Sequence, residues 1–249
     1  MKKKVKNRLV KILSSMAVLL VCVDSKVSAG VTNDSGYLGF GNVNSILRRD
    51  GMKCDNVTDF TIPDTYSVIV ADAFAHFARL KSVTIPNSIN TISSRAFAYC
   101  KSLTNVVIPD SVRIIGKSAF LGCRSMVNII IPPAVKFIHE YTFAGCTSLK
   151  NVIIPRGVET ICTGAFVGCT SLEKIDIPES VTEIEEHAFW RCYNLRTVNI
   201  LCKAVDIYGD IFKECGCLTE INYNGTKYTD VKSFYEALGT RWHKCEQAS

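Results

Sequence analysis

Phenylalanine recurs every 23 residues along most of this chain, at Phe74, Phe97, Phe120, Phe143, Phe166, Phe189 and Phe212. The same interval carries Leu80, Leu103, Met126, Leu149, Leu172, Leu195 and Leu218. A third column is Ile62, Ile85, Ile108, Ile131, Ile154, Ile177 and Ile200, the first six each followed by proline, and a fourth is Ile69, Ile92, Ile115, Ile138, Ile161, Ile184 and Ile207. A unit this short cannot bury its anchors within itself. Each finds cover only against its neighbours, so the units must stack into one elongated domain.

Within one unit, Ser171 to Pro178, Leu172, Ile175 and Ile177 point inward while Lys174 and Asp176 point outward. That alternation is strand-like, and proline ends the ladder. Each coil is expected to supply one short parallel strand. A second apolar pair, Val181 and Ile184, leads through a polar bend to Ala188-Phe189, whose spacing to Cys192 and Leu195 suits a short helical turn. Seven to eight coils run from about Val57 to Tyr223. With strands roughly 4.8 Å apart they make a rod about 34 Å long.

The ends must be closed, because a terminal coil exposes a sheet edge. Residues 224–249 are expected to form the C-terminal cap: Val231, Phe234, Tyr235 and Leu238 have helical spacing, with Asp230 as N-cap and Gly239 as stop. Residues 30–56 lack the period but hold Tyr37, Leu38, Phe40, Val43, Ile46 and Leu47, enough apolar surface for an N-terminal cap.

A period between 20 and 29 residues with leucine and isoleucine anchors marks a leucine-rich-repeat solenoid, an α/β repeat fold. The unit Ser102-Leu-Thr-Asn-Val-Val-Ile-Pro-Asp-Ser-Val-Arg-Ile-Ile-Gly-Lys-Ser-Ala-Phe-Leu-Gly-Cys-Arg124 closely resembles the BspA-type leucine-rich repeat. Its Ile-Pro, Ser-Val, Ala-Phe and Cys elements recur in one phase over residues 57 to about 223, and Tyr223-Asn-Gly-Thr-Lys227 looks like the segment that often follows such arrays. The resemblance implies a secreted or surface-displayed protein that binds other macromolecules, commonly in adhesion.

The net charge of +6 suggests an anionic partner until it is located along the chain. Residues 1–29 carry seven bases and one acid, which leaves the remainder neutral with 22 of each. This basic front, the apolar run from Ile12 to Val23 and the small-residue site Val27-Ser28-Ala29 read as a secretory signal with the mature chain starting near Gly30. The run is too short for a permanent transmembrane helix, which needs roughly 20 apolar residues. Leu19-Leu20-Val21-Cys22 vaguely resembles a lipoprotein processing site, although Val21 stands where that pattern takes a small residue. Asn33, Asn56 and Asn224 head Asn-x-Ser/Thr triplets, open to glycosylation only in a source that glycosylates secreted proteins this way.

Twelve cysteines would ordinarily suggest a disulfide framework. Cys54, Cys100, Cys123, Cys146, Cys169, Cys192 and Cys215 instead share one column of the repeat, with Phe77 in the vacant place. A position that accepts phenylalanine is a core position, so buried free thiols are expected there. Cys162, Cys202, Cys217 and Cys245 stand outside the column; the last three could form one cap disulfide, and with Cys215 a zinc site could be drawn, though without paired knuckle spacing.

His139, Cys162 and Glu185 lie 23 apart and should stack on successive coils, which makes them a candidate catalytic trio. The same column holds Ser93, Gly116 and Tyr208, the mark of a variable bend, and a narrow solenoid offers no evident oxyanion hole, so no catalysis is expected. His76, His187 and His243 share no phase. No metal site, no cofactor and no nucleic-acid partner is expected, since basic residues do not line one column with interleaved aromatics.

The outward columns of the strand remain. In the three middle coils they pair Asn105, Asn128 and Asn151 with Val107, Ile130 and Ile153, an aliphatic strip rimmed by amides and the expected binding surface for an extracellular protein or glycan. A rival patch sets Ile114 beside Phe137 in the column Val68, Thr91, Ile114, Phe137, Thr160, Glu183, Asp206. Trp190, in a column of small or apolar residues, is expected to pack rather than bind. The expected function is a non-catalytic recognition module. The alternatives are a structural spacer or assembly protein and, further off, a cysteine-dependent hydrolase.

Overall fold

The computed structural model describes residues 57–243 in full and, as backbone only, Ala17–Val23, Lys26–Thr32 and Tyr37–Leu38. Cys54, Cys245 and most of the expected N-terminal cap therefore lie outside the described residues.

The expected strand is present in every coil: Asp59–Thr61, Ser82–Thr84, Asn105–Val107, Asn128–Ile130, Asn151–Ile153, Lys174–Ile177, Thr197–Ile200 and Glu220–Tyr223. Paired neighbours are parallel and sit 23 residues apart in register, as Asn128 opposite Asn151 and Lys174 opposite Thr197. All but the last of these coils also carry a second strand, of two or three residues. Val68–Ile69, Thr91–Ile92, Ile114–Ile115, Phe137–Ile138, Thr160–Ile161, Glu183–Ile184 and Asp206–Tyr208 line a second, shorter parallel ladder. Its inner residues, such as Ile92 and Ile161, were legible as apolar anchors, but two residues are too few to show a period.

The Ala-Phe segment is not the expected helical turn. Arg95 and Tyr99 have φ of 57° and 60°, and Tyr141 and Gly145 follow with 57° and 68°. Left-handed residues four apart cannot belong to an α-helix. Their N–H groups instead alternate in direction: Arg95, Phe97 and Tyr99 donate to Lys117, Ala119 and Leu121 of the next coil, while Ala96, Ala98 and Cys100 donate back to Ser93, Arg95 and Phe97. The third side of the solenoid is thus cross-linked coil to coil without a strand.

Inside, the phenylalanine column forms a continuous stack. Ring centroids are 5.0 Å apart for Phe74–Phe97, 5.7 Å for Phe120–Phe143 and 5.5 Å for Phe143–Phe166, with planes within about 12° of parallel. The cysteine column lies beside it as buried free thiols. Each thiol donates to the carbonyl of a phenylalanine 26 residues earlier, as Cys146 to Phe120 at 3.3 Å and Cys169 to Phe143 at 3.3 Å. Cysteine therefore fills a small apolar hole and also ties one coil to the one before. Phe77 fills the same place at the array's start, edge-on to Phe74 at 5.6 Å.

Gly157 marks a local tight fit. In neighbouring coils its column holds side chains, at Ser111, Ala134 and Ser180, but a Cβ at 157 would run into the carbonyl oxygen of Pro133, the second residue of Pro132-Pro133. A backbone atom cannot step aside as a side chain would. Gly157→Ala is expected to destabilise by about 1–3 kcal/mol, read as a lowered urea midpoint; an unchanged midpoint would show that the proline pair relaxes freely.

The C-terminal closure follows expectation. Helix α1 (Val231–Leu238) is capped by the Asp230 side chain, which accepts from Ser233 N at 2.8 Å, and ends at Gly239 with φ 56°. Phe234 lies beneath the last coil, 5.9 Å from the ring of Tyr223 and 6.3 Å from that of Phe212. Asn224-Gly225, with φ of 51° and 75°, turns Glu220–Tyr223 back into an antiparallel strand, Thr226–Tyr228, which covers the edge of the long ladder. Trp242–His243 does the same for the short ladder by pairing with Ile207 and Tyr208. At the other end, Lys26–Thr32 pairs in parallel with Asp59–Thr61 and antiparallel with Ala17–Val23.

Candidate functional site: the outer face of the long ladder

Because side chains alternate across a strand, burying Val106 and Ile129, and partly burying Val152, turns their neighbours outward. Val107 is 80% exposed, Ile130 62% and Ile153 55%. Alongside them Asn105, Asn128 and Asn151 are exposed too. Asn151 Nδ2 donates to Asn128 Oδ1 at 2.6 Å, so these two amides are tied side by side along the ladder. Farther along the face, Asn199 donates to Asp176 and Asn222 to Asn199, at 2.6 and 2.7 Å. The six residues read from the period thus share one surface.

The sequence did not show where that surface becomes concave. The long ladder pairs in three blocks, and one boundary falls between Asn151–Ile153 and Lys174–Ile177. There a groove of about 550 Å³ opens, lined by Lys150, Asn151, Val152, Ile153, Ser171, Glu173, Lys174 and Asp176. Asn151 and Ile153 border it; Asn105, Val107, Asn128 and Ile130 lie on the flatter face before it. Lys174 and Asp176 were recognised as outward residues, but nothing in the period distinguishes this coil junction from the others. Lys174 Nζ stands 3.3 Å from Asp176 Oδ1, so the groove offers both signs of charge and an aliphatic wall.

The rival patch is also at the surface, with Ile114 and Phe137 exposed on the short ladder and the Phe137 ring 5.8 Å from His139. The short ladder breaks between Ile114–Ile115 and Phe137–Ile138, as the long ladder does between Asn105–Val107 and Asn128–Ile130. Next to it the period does stack His139 and Cys162. Glu185, however, is engaged elsewhere, accepting from Thr163 N at 2.8 Å and Thr163 Oγ1 at 2.7 Å. Burial first, then the charges of Glu185 and Glu140, push the Cys162 thiol up to about 12, the reverse of what a nucleophile needs.

The remaining candidates are positioned by packing. His76 and His243 are exposed, as surface residues should be, and each stacks on an aromatic ring, His76 on Tyr99 at 4.9 Å and His243 on Tyr208 at 4.6 Å. Trp190 is half-buried, donates to Glu214 Oε1 at 3.1 Å and lies 4.5 Å beneath the Arg191 guanidinium. Cys202 and Cys217 are free thiols, which leaves Cys245, outside the described residues, as the third member of the disulfide considered above. Ion pairs join equivalent positions of adjacent coils, Arg95 with Asp72 and Lys136 with Glu159, on exposed surface where each contributes little. No helix among the described residues is long and apolar enough to cross a membrane.

Comparison with known proteins agrees with this architecture. A leucine-rich repeat protein from Bacteroides ovatus superposes with a TM-score of 0.59 at 21% identity, over 85% of this chain and 70% of its own. The leucine-rich repeat protein of T. pallidum gives 0.55 at 21% identity, over 92% of this chain and 97% of its own. At such identity the likeness is one of fold. No curated protein matches the chain in sequence. The family model of the BspA type leucine rich repeat region matches in six copies over residues 51–147 and 115–239. With that match spanning most of its length and the columns explained coil by coil, the chain belongs to the BspA-type leucine-rich repeat family.

Proposed function

We propose that this protein is a secreted or surface-displayed recognition module that binds an extracellular protein or glycan through the outer face of its long ladder, without catalysis. The observation that carries this is the strip Val107, Ile130 and Ile153, exposed beside the tied amides of Asn128 and Asn151 and running into the groove at Lys174 and Asp176. Aliphatic side chains left in water on a rigid sheet are released from it by a partner, and the amides supply directional hydrogen bonds to peptide or sugar. The face is pre-organised by the coils beneath, so binding costs little ordering entropy.

Export rests on residues 1–29, whose basic front, apolar run and Val27-Ser28-Ala29 have the form of a signal segment. The absence of catalysis is supported by the protonated state of Cys162 and the engagement of Glu185 with Thr163.

The test is a binding screen of the purified chain against extracellular-matrix proteins, mucin-type glycans and whole cells, with an Ile130→Glu, Ile153→Lys variant alongside. Both side chains are outside the core, so melting should stay within about 1 °C while affinity falls about 100-fold or more, the scale of losing the centre of an interface. Retained binding in the variant would remove this face as the site. Self-association without a foreign ligand would favour the assembly role.

A further inference from the structure

We propose that His139, Glu140 and Cys162 form a binding site for a divalent transition-metal cation of the zinc class, bridging two adjacent coils at the rim of the short ladder. The strand pairing creates the juxtaposition. Phe137–Ile138 is in register with Thr160–Ile161, so His139 and Cys162, the next residue of each, stand side by side, and Cys162 N is fixed by donation to Ile138 O at 2.9 Å. Glu140 follows His139 into the bend. Lys117, reaching over from the preceding coil, holds Glu140 Oε1 at 2.5 Å, which leaves Oε2 facing His139 Nδ1 at 3.8 Å.

One donor atom from each of the three residues lies within 4.8 Å of the others. In a tetrahedral zinc site with bonds of about 2.0–2.3 Å the donors stand roughly 3.4–3.6 Å apart, so closing the site needs a contraction of at most about 1.4 Å. His139 is half-buried and can supply it by rotation. Imidazole, thiolate and carboxylate together suit zinc-class ions, whereas magnesium and calcium prefer oxygen alone. Binding replaces the thiol proton: the S–H bond breaks, the sulfur pair becomes the metal bond and H⁺ leaves to solvent. The carboxylates that disfavour a bare thiolate attract a dication in its place. Glu185 Oε2 is committed to Thr163, so the fourth position is left to water. Donors on separate coils carry no motif spacing along the chain, which is why no metal was expected from sequence.

Titration of the full, reduced chain with Co²⁺ tests the site. The expected result is a thiolate-to-cobalt charge-transfer band that saturates at one equivalent and is displaced by Zn²⁺. Cys162→Ser should abolish the band, and His139→Ala should weaken affinity about tenfold or more. Cys217→Ser should leave both unchanged. Ser93 occupies the place equivalent to Cys162 in an earlier coil, so Cys162→Ser is expected to fold with an unaltered metal-free melting curve. A band that persists in Cys162→Ser, one unaffected by His139→Ala, or no saturable band in the native chain would overturn the assignment.

Discussion

Raising the pH from 8 to 10 under reducing conditions is expected to unfold this protein. Six thiols, Cys100, Cys123, Cys146, Cys169, Cys192 and Cys215, sit buried in one column between coils. Burial pushes Cys100, Cys146 and Cys215 up to about 12 and holds Cys123, Cys169 and Cys192 well above the ordinary value of 9.0. A folded-state value raised above the unfolded one means that the native fold keeps a proton the unfolded chain releases. That preference is fully present below pH 9 and is lost as the pH climbs toward 12. By pH 10 each thiol contributes about 1 kcal/mol of destabilisation, and six together on the order of 5–10 kcal/mol, comparable with the whole stability of a typical domain.

Urea midpoints measured from pH 7 to pH 10 should be flat to about pH 8 and fall steeply above 9. Cys146→Ser with Cys169→Ser should shrink that fall by about a quarter, since the buried thiols of Cys162 and Cys202 are also pushed up, to about 12 and 11, and two of eight linked protons are gone. A midpoint at pH 10 equal to that at pH 7 would mean the thiols are not held in the core as described.

Phe143→Ala should cost about 3–5 kcal/mol, the upper range for emptying a packed site. The ring lies in mid-stack, between Phe120 at 5.7 Å and Phe166 at 5.5 Å, with no exposed surface. Its loss leaves two rings without a face, and the coil backbones cannot close the gap because their inter-coil hydrogen bonds fix the spacing, as with Phe143 N to Ala165 O at 2.9 Å. In a solenoid each coil is held only by its neighbours, so a break here weakens both halves. Phe143→Leu should recover part of the loss. A change below about 1 kcal/mol in the thermal or chemical unfolding of Phe143→Ala would show that the stack contributes little to holding the coils together.

How much was legible depended on whether a residue's role repeats. Phe143, Leu149, Ile138 and Cys146 do the same work in successive coils, and stacking identical units leaves one way to bury them. The outward set Val107, Ile130 and Ile153 followed from the inward one by alternation alone. The helical turn expected around Ala188-Phe189 failed because apolar spacing of three and four also fits a loop with left-handed residues four apart, and only His187 and Arg191 at φ of 61° and 60° reveal it. The two-residue strands, such as Thr160–Ile161, were hidden by their shortness.

The sequence by itself determined the coil length, the buried columns, the capping helix and the face turned to solvent, because each is a consequence of period and polarity that neighbouring units enforce on one another. Only the tertiary structure decided where that face becomes a groove and which donors meet beside the short ladder. The ladder break beside Ile153 and the approach of Cys162 to His139 and Glu140 depend on small offsets between neighbouring coils and on side-chain rotation. Residue order along a chain does not encode differences that small between one repeat and the next.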